Sequence, residues 1–140
     1  MSADFTIGGA VITGGASGIG LAVARELGRR GAVVVTVDPM VSVDGITAAE
    51  ATGPTTAERI VAAGGTARAA AVSVTDRKAL RALVAELVDD HGRLDSVVNV
   101  AGITRPTGFA SGSEEDWAAV LAVHLDGYRN VLDAVLPHMA

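Results

Sequence analysis

Between an apolar run, Ala10-Val11-Ile12, and a helical pattern from Leu21 to Arg30 stands Thr13-Gly14-Gly15-Ala16-Ser17-Gly18-Ile19-Gly20. Strand, glycine turn and helix in that order are the context in which a short glycine motif carries meaning. Gly14 lets the chain leave the strand through a turn that a Cβ would obstruct. Gly18 and Gly20 let the backbone and the helix approach both a pyrophosphate and the sheet. Free N–H groups at the start of the helix then point at the anion, and the helix dipole favours its charge. The same stretch also reads as an ordinary glycine-rich turn with no ligand.

The rest of the chain repeats the alternation. Ala3 to Thr13 reads as a strand and Gly18 to Arg30 as a helix, with Ile19, Ala22, Val23 and Leu27 at helical spacing. Gly31 is placed to end that helix. Ala32 to Val37 is a continuous, mostly β-branched run, the pattern of a strand buried on both faces. Thr56 to Ala63, Asp76 to His91 and Glu114 towards His138 read as helices, and Ala67 to Val74 and Leu94 to Val100 as strands. Thr75 or Ser73 would cap the second of these helices and Ser113 the third, with Asp116 completing a capping pattern. Trp117, Val120, Leu121, Leu125, Tyr128, Leu132 and Val135 form the apolar stripe of the last helix. Right-handed crossovers between such strands predict one domain, residues 1–140. It is α/β with a doubly wound parallel sheet of Rossmann type in spatial order 3-2-1-4 and helices on both faces.

Asp38 ends the second strand, 18 residues after Gly20. A carboxylate there accepts hydrogen bonds from a ribose 2′-OH and repels a 2′-phosphate. No Lys or Arg lies in the glycine loop or follows Asp38, so the residues favour NAD over NADP. Asp38 as a plain turn cap is the other reading. The stretch 39–55, with Gly45, Gly53 and Pro54, is longer than the few residues usual for such a connection. It begins beside the expected adenosine site, so it reads either as a cover over the cofactor or as a surface insertion without a role.

Composition narrows the class further. A formal net charge of −5 opposes non-specific binding to nucleic acid, which needs a basic face. With no cysteine, disulfides and thiolate chemistry are excluded. His91, His124 and His138 are scattered without metal-ligand spacing, so no metal is expected. No signal peptide is visible at Met1 to Phe5, and no apolar run reaches the roughly 18 residues of a membrane span. A cytoplasmic protein without a membrane partner is the expectation.

The G-x-x-x-G-x-G spacing with its leading Thr13 resembles the short-chain dehydrogenase/reductase family. Asp38, the Asn99-Val100-Ala101-Gly102 motif and Trp117…Val123-His124-Leu125-Asp126-Gly127 follow in the family's order, and the resemblance spans Phe5 to His138. It implies an oxidoreductase that transfers hydride between NAD and a small alcohol or carbonyl substrate. It implies cofactor contacts along the loop of Gly14, Ala16, Ser17, Gly18, Ile19 and Gly20. By the same resemblance Ser73 and Val74 meet the adenine, Asn99, Ala101 and Gly102 line the adenosine ribose and the central sheet, and Val123 lies near the nicotinamide. Family members are commonly dimers or tetramers, so a homo-oligomer is implied, and a fourth strand left as an edge adds to that expectation.

Three departures stand out. Ser73 replaces the family's usual Asp, and Val100 its second Asn. His124 occupies the position of the catalytic Asn, either holding a relay water in its place or simply packing. The family's Ser and Tyr-x-x-x-Lys lie beyond Ala140; Tyr128 has no lysine at that spacing and no lysine follows Lys78. The 140 residues are therefore expected to correspond to a truncated first half without turnover. A non-catalytic dinucleotide-binding module or an inactive fragment is the alternative. Arg105, Thr107 and Phe109 either border a substrate pocket or are plain surface.

Overall fold

A computed structural model describes residues 8–46 and 53–139. Four parallel strands, β1 (Gly9–Thr13), β2 (Val33–Val37), β3 (Thr66–Ala70) and β4 (Ser96–Asn99), form one sheet in the order β3-β2-β1-β4. Helix α1 (Gly18–Arg29) links β1 to β2, α2 (Thr56–Ala62) precedes β3, and α3 (Arg77–His91) links β3 to β4. Beyond β4 lie α4 (Glu114–Leu121), a π-helical turn over Ala122–Gly127, α5 (Tyr128–Val135) and a short 3₁₀ turn, Leu136–His138. The expected sheet order and the alternation of strand and helix are those observed.

Every residue of β1 is buried, because the central strand is covered on both faces. Its two-residue period sends Ala10 and Ile12 one way, against Ala24 of α1 and Ile60 of α2. Val11 points the other way, into a cluster with Leu80, Leu83, Val84 and Leu87 of α3 and Val131, Ala134 and Val135 of α5. This two-sided burial holds the carboxyl ends of β1, β2 and β4 in one row, the place where such sheets bind ligands.

Several expectations shift. The first strand starts at Gly9, residues 1–7 lying outside the described set. Helix α1 faces the sheet with Gly20, Ala24 and Gly28, while Ile19 is exposed. Small residues every fourth position let the helix axis approach closely; a Cβ at Gly28 would lie 2.6 Å from Ile60 Cγ2. β3 stops at Ala70 rather than Val74, and Val74 is buried beyond it. Its carbonyl is taken by the buried Asn130 side chain at 3.1 Å, and its side chain fills the space left by Gly127. The cap of α3 is Asp76, which accepts from Ala79 N at 3.0 Å. Ser73 and Thr75 instead bond one another at 2.8 Å. Ser113 and Asp116 do form the reciprocal cap of α4, and Thr55 with Glu58 forms an unanticipated one at α2.

The stripe expected on one long helix is broken. Trp117, Leu121, Leu125 and Tyr128 are exposed, and the buried face of α5 is Asn130, Val131, Ala134 and Val135. The π turn inserts a residue, and one residue is about 100° of helical phase, so apolar spacing counted at 3.6 does not carry through it.

Candidate functional site

A cleft of about 700 Å³ opens along the carboxyl ends of the strands. Behind its wall stands Thr13, which is fully buried. The Thr13 hydroxyl donates to Asn99 Oδ1 at 2.5 Å and accepts from Val100 N and Ala101 N, both at 3.2 Å. One side chain thereby ties the start of the glycine loop to the segment leaving β4. Gly14 turns at φ +65°, donates its N–H to Val37 O at 2.8 Å, and lies so close to Ala101 that a Cβ would be 3.0 Å from its N. Gly20 sits under the loop; a Cβ there would run into the Gly14 carbonyl. Gly18, at φ +50°, has open space where a Cβ would stand.

Ser17 caps α1 by position but makes no side-chain cap bond, which leaves its hydroxyl and the first N–H groups of α1 facing the cleft. Asp38 lies opposite. Its Oδ2 accepts from Ala16 N at 3.2 Å and its Oδ1 from Met40 N at 2.9 Å. The carboxylate thus braces the glycine loop against the tip of β2. Met40 is in turn the one non-glycine at positive φ among the described residues, +59°.

Gly14, Ser17, Gly18, Ile19, Gly20, Asp38, Ser73, Val74, Ala101, Gly102 and Val123 all line this cleft. Three of the anticipated residues do not. Ala16 and Asn99 stand behind the wall, Ala16 on Asp38 and Asn99 on Thr13, and the Asn99 Nδ2 is buried without a partner. His124 lies on a neighbouring cavity of about 490 Å³, shared with Arg105, Thr107, Phe109 and Trp117. There its Nε2 is 3.1 Å from Ile103 N and 2.9 Å from Ile103 O. Arg105 borders both spaces and pairs with Asp116 at 3.1 Å.

Sequence reasoning gave Thr13 a place in the motif but no partner, named Val43 only as part of the stretch 39–55, and passed over Asn130. Thr13 carried a signal, since a hydroxyl at the end of an otherwise apolar central strand must find partners when buried. Asn130 carried the same signal on a helix. Val43 carried none: with Val41, Ser42 and Gly45 it lines the cleft, and its carbonyl accepts from Thr104 N at 2.9 Å.

Among the described residues no three acidic or histidine groups gather as for a metal, and no helix is long and apolar enough to cross a membrane. Ionisable groups with displaced pKa values lie away from the cleft. The hydrogen bond from Arg77, with that from Arg81, holds the Asp133 carboxyl below its ordinary range, and Arg29 with Arg30 lowers Glu26 to about 2.

Residues 9–140 match the family model described as short chain dehydrogenase. The chain is similar to the 3-oxoacyl-(acyl-carrier-protein) reductase of Thermotoga maritima, 37% identical over 131 residues that make up 92% of this chain and 49% of that protein. Among solved structures it is similar to a short chain dehydrogenase from Mycobacterium paratuberculosis bound to NAD. The TM-score is 0.83 and the identity 30%, covering 94% of this chain and 50% of that one. A metagenomic short-chain oxidoreductase in complex with NADP gives a TM-score of 0.79 at 33% identity, covering 98% of this chain and 58% of that one. The chain thus spans about half the length of the relatives it matches.

Proposed function

From the premise that this chain belongs to the short-chain dehydrogenase family, we propose that it is the cofactor-holding half of an NAD-dependent oxidoreductase acting on a small alcohol or carbonyl compound. The observation that carries this reading is the meeting of the glycine loop and Asp38 across one cleft at the carboxyl ends of β1, β2 and β4. The residues fit a dinucleotide. Open space at Gly18 and unpaired N–H groups at the head of α1 suit a diphosphate, and Asp38 suits a ribose diol. Ser73 and Val74 line the cleft beyond β3 and Val123 lines it near α4, which supports contacts with the base and the nicotinamide respectively.

When bound, a nicotinamide dinucleotide supplies a hydride acceptor or donor at its ring. The protein's part in these residues is binding, orientation and exclusion of water. The Asp38 carboxylate disfavours an added 2′-phosphate. The one cationic side chain lining the cleft among the described residues, Arg105, sits on the β4 side and is committed to Asp116. Proton transfer to substrate needs a donor that these 140 residues do not provide, so they bind cofactor without turnover. Homo-oligomer formation through the exposed apolar side chains of Trp117, Leu121, Leu125 and Tyr128 fits the same reading.

The segment 39–55 covers the cofactor in this proposal. Val41, Val43 and Gly45 support it by lining the cleft, while residues 47–52 lie outside the described set. Deleting residues 41–53 then speeds NADH release, and an unchanged release rate removes the covering role.

Fluorescence titration tests the cofactor assignment. NADH should bind at least about tenfold more tightly than NADPH, and Asp38→Ala should erase most of that difference. Equal affinity for the two in the unaltered chain, or no binding of either, overturns it.

A further inference from the structure

The imidazole of His124 meets a donor and an acceptor of the same residue with a single nitrogen. Nε2 lies 3.1 Å from Ile103 N and 2.9 Å from Ile103 O. One nitrogen cannot serve both. An unprotonated Nε2 accepts from the N–H, and a protonated Nε2 donates to the carbonyl. The residue is exposed, but one edge of its ring is held. It packs where a side chain at Gly102 would be, with its Cε1 2.7 Å from the position of a Cβ. It is carried by the π-helical turn Ala122–Gly127, a geometry often found at functional sites.

The carbonyl of Ile103 belongs to the same peptide group as the N–H of Thr104. That N–H donates to Val43 O at 2.9 Å, and Gly45 stands against the Ile103 side chain. The chain of contacts therefore runs from Nε2–H to Ile103 C=O, through the peptide to Thr104 N–H, and on to Val43. Hydrogen bonds in series polarise one another and strengthen together. Donation from an imidazolium, which is charge-assisted, tightens the hold on Val43. Acceptance from Ile103 N–H instead leaves that peptide without its first donor.

We propose that His124 is a positioning residue whose ring proton selects which backbone group of Ile103 is held, and so how firmly the segment at Val43 is fixed across the nucleotide cleft. The protonated ring holds it more tightly. Other charges near the ring come from three elements. Arg105 of the segment after β4 and Asp116 of α4 line the same cavity and are paired with each other, and Asp126 of the ring's own turn is paired with Arg129 at 3.7 Å. Each of these charges is met by its partner.

The segment's hold on bound nucleotide rests on the cofactor reading above, but the switch does not, and the two are tested apart. In ¹⁵N-labelled chain without nucleotide, the Ile103 amide should move with pH in step with the His124 ring, and the neutral ring should carry its proton on Nδ1. A pH-independent Ile103 amide, or a neutral ring protonated on Nε2, overturns the switch. With NADH present, release followed by stopped-flow fluorescence should be about threefold to tenfold slower at pH 6 than at pH 8, the worth of one hydrogen bond. His124→Asn, whose carboxamide offers an acceptor and a donor together, should flatten that profile while keeping the fold. A profile equally steep in the Asn variant overturns the role of His124. If NADH does not bind at all, the cofactor reading falls, and the amide titration alone decides the switch.

Discussion

Replacing Thr13 by valine keeps the volume of the side chain and removes only its hydroxyl. That hydroxyl makes one bond to Asn99 Oδ1 at 2.5 Å and receives two backbone N–H groups at 3.2 Å. Val100 and Ala101 are half-buried, so water recovers part of what their N–H groups lose. Asn99 fares worse. Its Nδ2 is already buried without a partner, and the substitution strands Oδ1 as well. A net hydrogen bond contributes about 1 kcal/mol and an unsatisfied buried group costs about 1–3 kcal/mol. Together these predict a loss of about 2–4 kcal/mol, a large share of a typical domain's total of about 5–15 kcal/mol. Urea unfolding followed by far-ultraviolet circular dichroism measures it, with the slope checked for constancy. Thr13→Ser should recover most of the loss, because it restores the oxygen and gives up a methyl. The same variants should weaken NADH binding in the same order, since Ala101 forms the wall against Gly14. A loss below about 0.5 kcal/mol for Thr13→Val, or a serine variant as unstable as the valine one, refutes the claim that the hydroxyl ties β1 to β4.

Two other outcomes follow from the geometry. Gly28→Ala places a methyl 2.6 Å from Ile60 Cγ2, on a stiff β-branched side chain. Overpacking should outweigh the gain in helix propensity and cost about 1 kcal/mol net, and Ile60→Val in the same chain should relieve part of it in urea unfolding. Asp133 has its pKa depressed in the folded state, chiefly by the hydrogen bond from Arg77 and then by Arg81. Its contribution is therefore present above the unfolded carboxylate value of about 3.9 and is lost as pH falls through the lower folded value. Stability measured against pH should lose part of its acid limb below about pH 4 in Asp133→Asn; an identical limb means that the α3–α5 ion pairs do not contribute.

Much of the cleft was legible because its parts are local. The glycine loop needs positive φ at Gly14 and Gly18, and only the residue type has to be read to see that. Asp38 sits at a strand tip at a spacing that the topology imposes. His124 was singled out by its place in a motif, but its two contacts with Ile103 depend on a loop 21 residues away. The stripe on the last helix misled for a related reason: the π turn ends where Gly127 packs against Val74, and nothing in the local spacing of apolar residues announces it.

From the order of residues alone came the alternation of strand and helix, the sheet order, the turn at the head of α1 and the acid that faces it. These follow from periodicity, backbone freedom and crossover handedness, which act over short stretches of chain. Tertiary contact decided the rest: that Thr13 and Asn99 act as a hidden tie, that Asn130 holds the chain after β3 at Val74, and that Val43 comes to rest on Thr104. Each of those is a polar group choosing its partner from a distant segment, and such a choice is settled only when the two segments are already packed side by side.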